Sequence, residues 1–104
     1  MNLIKMTIIN QIVENAIKAG SSDIHLEENE AIAVRINSDI RISEQKLSSK
    51  NFDEILRELL SEEENKNYLE KFDLDTSISI SGLARLRINA YFSNQRRCLT
   101  ITIL

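Results

Sequence analysis

Leu83-Ala84-Arg85-Leu86-Arg87-Ile88-Asn89-Ala90-Tyr91-Phe92 alternates apolar and polar residues without a break. Ala84, Leu86, Ile88, Ala90 and Phe92 fall on one side of an extended chain, and Arg85, Arg87, Asn89 and Tyr91 on the other. This period predicts a strand with one packed face and one wet face, the habit of antiparallel sheets. Upstream, Leu74 to Ile80 sets Ile78 and Ile80 among serines, and Ser81-Gly82 is a turn dipeptide. Downstream, Asn94 to Arg97 is a polar loop, and the last residues oppose Leu99, Ile101 and Ile103 to Thr100 and Thr102. The three strands read as an antiparallel meander.

Working back from the meander, two helices precede it. Phe52, Ile55, Leu56, Leu59 and Leu60 form one helical stripe, with Asn51 and Glu54 placed to start the helix. Ser61 and Glu64 form a capping-box pattern that starts the next helix, whose expected buried contacts are Tyr68, Leu69 and Phe72. Before these comes a β-hairpin region. Ile24 and Leu26 point one way and His25 the other, and Glu27 to Glu30 makes a polar turn. Ile32, Val34 and Ile36 then share a face, Asn37-Ser38-Asp39 breaks the strand, and Ile40 and Ile42 resume the alternation. The chain opens with a helix whose stripe is Ile9, Ile12, Val13, Ala16 and Ile17, capped by Thr7 and stopped near Gly20. Met1 to Lys5 reads as a short strand or a lead-in. Strands in runs, not in strict alternation with helices, predict an α+β fold with an antiparallel sheet.

The 104 residues make one domain, with 42% hydrophobic residues for a single core. A net charge of -3 excludes a generally basic nucleic-acid binder. No apolar run approaches about 18 residues, and MNLIKMTIIN has no signal-peptide layout, so the expectation is a cytoplasmic protein. One cysteine, Cys98, excludes an internal disulfide and a multi-cysteine metal site. His25 and Cys98 are the sparse parts of any nucleophilic pair, and no third group is indicated to orient them. No metal-ligand spacing and no catalytic residue stand out. A phosphate loop is also absent, because Gly20 and Gly82 are isolated and neither precedes a lysine.

Charge is segregated along the chain. Residues 53–75 carry -6, and residues 76–104 carry four arginines and no acid. Arg85 and Arg87 leave the same strand face about 7 Å apart, with Arg96 and Arg97 at the next turn. Two readings follow from this spacing. The arginines are surface partners of the acidic helices, or their planar forks meet phosphate oxygens, which lysine does less well. The second reading requires Arg85 and Arg87 to be unclaimed by the chain's own carboxylates.

Ala19-Gly20-Ser21-Ser22-Asp23-Ile24-His25-Leu26, followed by Ala33-Val34-Arg35-Ile36-Asn37, resembles the opening of the bacterial secretion and pilus ATPases. Phe72-Asp73-Leu74-Asp75 and then Gly82-Leu83-Ala84-Arg85-Leu86-Arg87-Ile88-Asn89-Ala90-Tyr91 resembles their later Arg-x-Arg-x-Asn stretch. The likeness covers nearly the whole chain. The short lead before the Ser-Asp-Ile-His block points to the type IV pilus retraction (twitching-motility) ATPases.

The resemblance implies a PAS-like α+β N-terminal domain over residues 1–104, with helices packed on one face of an antiparallel sheet. In the family a RecA-like motor domain carrying the phosphate loop follows; it is absent from this chain. The implied whole protein is a cytoplasmic homo-hexamer at the inner face of the cell membrane. It hydrolyses ATP with Mg2+, works against an inner-membrane platform protein and drives pilus disassembly. Its N-terminal domain packs on the motor domains of its own and the neighbouring subunit. The fragment alone is expected to hold no cofactor and to hydrolyse nothing. The implied nucleotide-binding residues are Arg87, which matches the second arginine of the motif, and Arg85. Three positions depart from the family pattern. Thr102 stands where a second phosphate-facing arginine usually lies, Ser38 replaces a glycine, and Ala31 and Ile32 replace prolines. A stand-alone PAS-like ligand-binding or adaptor module is the alternative.

Overall fold

The computed structural model describes residues 7–80 and 82–104. The expected strand or lead-in at residues 1–5 and the Ser81 half of the Ser81-Gly82 turn lie outside the described residues.

The helices are α1 (Ile8–Lys18), α2 (Ser49–Leu59) and α3 (Glu62–Lys71). The strands are β1 (Asp23–Glu27), β2 (Ala31–Ile36), β3 (Asp39–Lys46), β4 (Asp73–Ile80), β5 (Ala84–Ser93) and β6 (Arg96–Ile103). They form one antiparallel sheet in the order β3-β2-β1-β6-β5-β4. The fold is α+β, as the alternating and helical patterns predict. β6 joins the two hairpin regions by pairing β1 on one side and β5 on the other.

The sheet is two-faced. Ile24, Leu26, Leu86, Ile88, Ala90, Leu99 and Ile101 are buried against Ile9, Val13, Phe52, Ile55 and Leu56 of the helices. The polar residues between them line the face that no helix covers. Burying this apolar area drives the packing, and the alternation in β5 fixes which side faces the core.

Local signals set the boundaries. The Thr7 hydroxyl accepts the Asn10 N–H and caps α1. At its other end the Gly20 N–H donates to Ile17 O and the Ser21 N–H to Ala16 O, a Schellman closure with Gly20 at φ +79°. Ser61 and Glu64 form the expected capping box of α3. α2 starts earlier than expected, because Ser48 and Asn51 form the capping box and Asn51 is already inside the helix.

Three apolar side chains also differ from expectation. Leu69 is 48% and Phe72 61% exposed, whereas Tyr68 is fully buried. Phe72 ends α3 in the left-handed conformation, which turns its ring outward and edge-on to Phe92 at 5.2 Å. Tyr68 stacks tilted on Phe92 and donates its hydroxyl to Tyr91 O at 2.7 Å; burial pushes its pKa up to about 12. Ile17, at the edge of the α1 stripe, is likewise exposed.

The β2–β3 hairpin turns on Asn37 and Ser38 alone, both at positive φ, the mirror-image turn that suits strand twist. Its register pairs Arg35 with Ile40 and Ala33 with Ile42. Ile40 and Ile42 therefore lie on the uncovered face, opposite to Val34 and Ile36, and Ile42 is 72% exposed. Asn94 and Gln95 make the same kind of turn between β5 and β6, so β6 begins at Arg96.

Candidate functional site

Register assembles the uncovered face in rows. One row runs Arg35, Asp23, Thr102, Arg87 and Ser77; the next runs Ala33, His25, Thr100, Asn89 and Asp75. Arg85 lies on the same face of β5, opposite Ser79. Arg85, Arg87, Asp75, Thr76, Ser77 and Leu104 line an open cleft of about 380 Å³ at the β4–β5 end. The two arginines singled out from the sequence are thus brought together on a solvent-facing strand.

The expectation that both are unclaimed by the chain's own carboxylates fails at Arg87. Arg87 donates from Nη2 to Asp75 Oδ2 at 2.8 Å and from Nε to Asp75 Oδ1 at 3.3 Å. This fork-to-fork pair is 65% and 55% exposed on its two sides. Hydrogen bonding to Arg87 holds the Asp75 carboxyl below the usual carboxylate range and raises the Arg87 pKa. The sequence reading looked for partners on the acidic helices, but the partner is on the neighbouring strand. Its signal was the meander itself, since an antiparallel β4 places Asp75 diagonally across from Arg87.

Thr102 stands beside Arg87 but carries no cation. It donates to Asp23 Oδ1 at 3.1 Å, and Asp23 also accepts the Ser22 hydroxyl at 2.8 Å. His25 Nδ1 lies 3.4 Å from Thr100 Oγ1, which in turn lies 3.5 Å from the Tyr91 hydroxyl.

Arg96 and Arg97 belong to a different neighbourhood. Arg97 donates to Glu28 through Nη2 at 2.8 Å and Nε at 3.2 Å, to Asp53 through Nη1 at 2.6 Å, and to Ser49 O at 3.1 Å. Its guanidinium also stacks 5.2 Å from the Phe52 ring centre. The Arg97–Glu28 side chains are each 17% exposed, and Arg97 draws the Glu28 pKa down to about 2. Arg96 pairs with Glu30 and lies 3.9 Å from Glu27. These two arginines bind the chain's own turn and helix.

Cys98 is buried. Its thiol faces Glu27 and Arg96 O at 3.6 Å, and burial followed by the Glu27 charge pushes it up to about 11. A thiol so disfavoured as thiolate is a packing residue. Among the described residues no group of three His, Cys, Asp or Glu could hold a metal. No described helix is long and apolar enough to cross a membrane.

Among solved structures, the pilus retraction motor PilT with bound ADP superposes with a TM-score of 0.80 at 25% identity, covering 94% of this chain and 29% of that one. The type IV pilus retraction ATPase PilT of Pseudomonas aeruginosa is 27% identical over 88 residues, which are 84% of this chain and 26% of that protein. Over most of its length the chain is thus similar to the retraction ATPase PilT, of which it matches about a quarter. The same fold appears in the ATPase DotB of Legionella pneumophila, with a TM-score of 0.74 at 19% identity over 99% of this chain and 30% of that one. No family model matches the chain. The chain spans between a quarter and a third of the length of the relatives it matches.

Proposed function

We propose that this domain is the N-terminal part of a hexameric pilus retraction ATPase whose motor domain lies outside these 104 residues. It packs on the neighbouring subunit's motor domain and turns Arg87, with Arg85 beside it, toward the phosphates of ATP bound there with Mg2+. The whole protein works in the cytoplasm, at the inner face of the cell membrane, against an inner-membrane platform protein. Cationic donors supplied across a domain boundary stabilise developing phosphate charge and lose their contact when the terminal phosphate leaves. Rotation of one domain against the other then turns hydrolysis into movement.

One observation carries the reading. In a fold superposing on an ADP-bound retraction motor, the Arg85–Arg87 strand lies on the face that the helices leave uncovered. Asp75 claims Arg87 in the resting domain, so the reading requires this exposed ion pair to exchange for phosphate.

In the full-length protein, Arg87→Ala is expected to lower ATP turnover by about ten-fold or more while the circular dichroism of the domain is unchanged. Normal turnover in that variant would remove Arg87 from the mechanism.

A further inference from the structure

The Asp75–Arg87 pair is not a side-by-side strand pair. Arg87 lies opposite Ser77, and Asp75 lies opposite Asn89. Asp75 is therefore reached diagonally, on the side of Arg87 away from Arg85, which lies opposite Ser79. The contact uses Nε and Nη2, one complete edge of the guanidinium, against both carboxylate oxygens. That edge is the one a phosphate would engage through two of its oxygens. The carboxylate thus occupies the donor set that an incoming anion needs, and it draws the Arg87 head group away from the Arg85 side of the cleft.

We propose that Asp75 is a competing placeholder at the β4–β5 cleft: its carboxylate occupies the Arg87 fork as a stand-in for phosphate and gives way when a polyphosphate arrives. The inference rests on the reading that Arg87 faces phosphate. The exchange is one of partners only. Two hydrogen bonds to a singly charged carboxylate are replaced by two to a more highly charged phosphate, and no covalent bond changes. Released from Asp75, Arg87 can turn toward Arg85 so that both grip one anion. The resting pair sets a threshold, because a weakly charged anion gains too little to displace the carboxylate.

The test titrates inorganic tripolyphosphate into the 104-residue chain at low salt and follows the Arg87 Nε–H resonance by NMR. Asp75→Asn is compared with Asp73→Asn, which removes the same charge from the same strand face opposite Tyr91. Asp75→Asn is expected to tighten tripolyphosphate about three- to five-fold. Asp73→Asn is expected to change it less than about 1.5-fold, because it removes only a screened, non-contacting charge. Adding Arg87→Ala to Asp75→Asn should abolish the gain. Equal tightening by both Asn variants would overturn the role of Asp75 while leaving the phosphate reading intact, provided the Arg87 signal still moves. An Arg87 signal that does not move in any variant would overturn the phosphate reading and the proposal together.

Discussion

Arg96 and Arg97 begin β6, and Arg85 and Arg87 lie on β5 beside it, yet the two pairs are held in different ways. Arg97 is nearly enclosed, with four donor contacts to Glu28, Asp53 and Ser49 O and a ring beneath it. It ties the β1–β2 turn, the start of α2 and β6 into one corner. Among the described residues Arg87 pairs with Asp75, and its side chain is 65% exposed. Arginine type and spacing do not separate these roles. What separates them is how many chain elements converge on each guanidinium.

The sharpest way to break this comparison is Arg97→Ala. It strands a mostly buried Glu28 carboxylate and opens the α2 corner, so we expect a loss of about 2–3 kcal/mol. Thermal melting should fall by roughly 10–20 °C. A fall under about 4 °C would mean the enclosed arginine is no more structural than the exposed one.

Next comes Glu28→Gln, with a dependence on pH. Arg97 depresses the folded-state pKa of Glu28 from 4.5 to about 2. The stability Glu28 contributes is therefore complete above about pH 4.5 and is lost as pH falls from there toward 2. In urea unfolding, wild type should exceed the variant by about 1–2 kcal/mol at pH 7, with the gap closing near pH 2. A gap that stays constant with pH would assign the effect to packing and not to charge.

The smallest effects belong to the exposed arginines. Arg96→Ala should lower the melting temperature by no more than about 4 °C, and Arg87→Ala should leave it within about 2 °C. Scanning calorimetry of the two variants together sharpens the contrast, because only Arg87→Ala should then alter anion binding.

Much of this arrangement was legible in the sequence because period-two alternation and capping boxes are local. The β5 pattern placed Leu86 and Ile88 in the core and Arg85 and Arg87 on the wet face, as the sheet has them. Ser61 and Glu64 marked the start of α3. At α2 two local signals competed, and Ser48 with Asn51 closed a full reciprocal box, leaving Asn51 inside the helix. The exposure of Ile40 and Ile42 follows from a turn two residues long, shorter than the three-residue Asn37-Ser38-Asp39 break that the sequence suggests. Leu69 and Phe72 were expected inside from residue type alone, but the left-handed end of α3 sends the chain directly into β4. The fate of Arg97 could not be read locally, because its acidic partners are 69 and 44 positions away in the sequence.

Asn37-Ser38 and Asn94-Gln95 bend their hairpins through backbone angles that glycine adopts at no steric cost. At Ser38 a serine holds the left-handed shape that a glycine would give. Asparagine adopts these angles readily, whereas Ser38 and Gln95 so placed cost roughly 1 kcal/mol each against glycine. The protein therefore tolerates local discomfort at two solvent-facing corners remote from both the packed interior and the cleft. A glycine at either corner would make the whole molecule sturdier without altering a single contact that the arginines use.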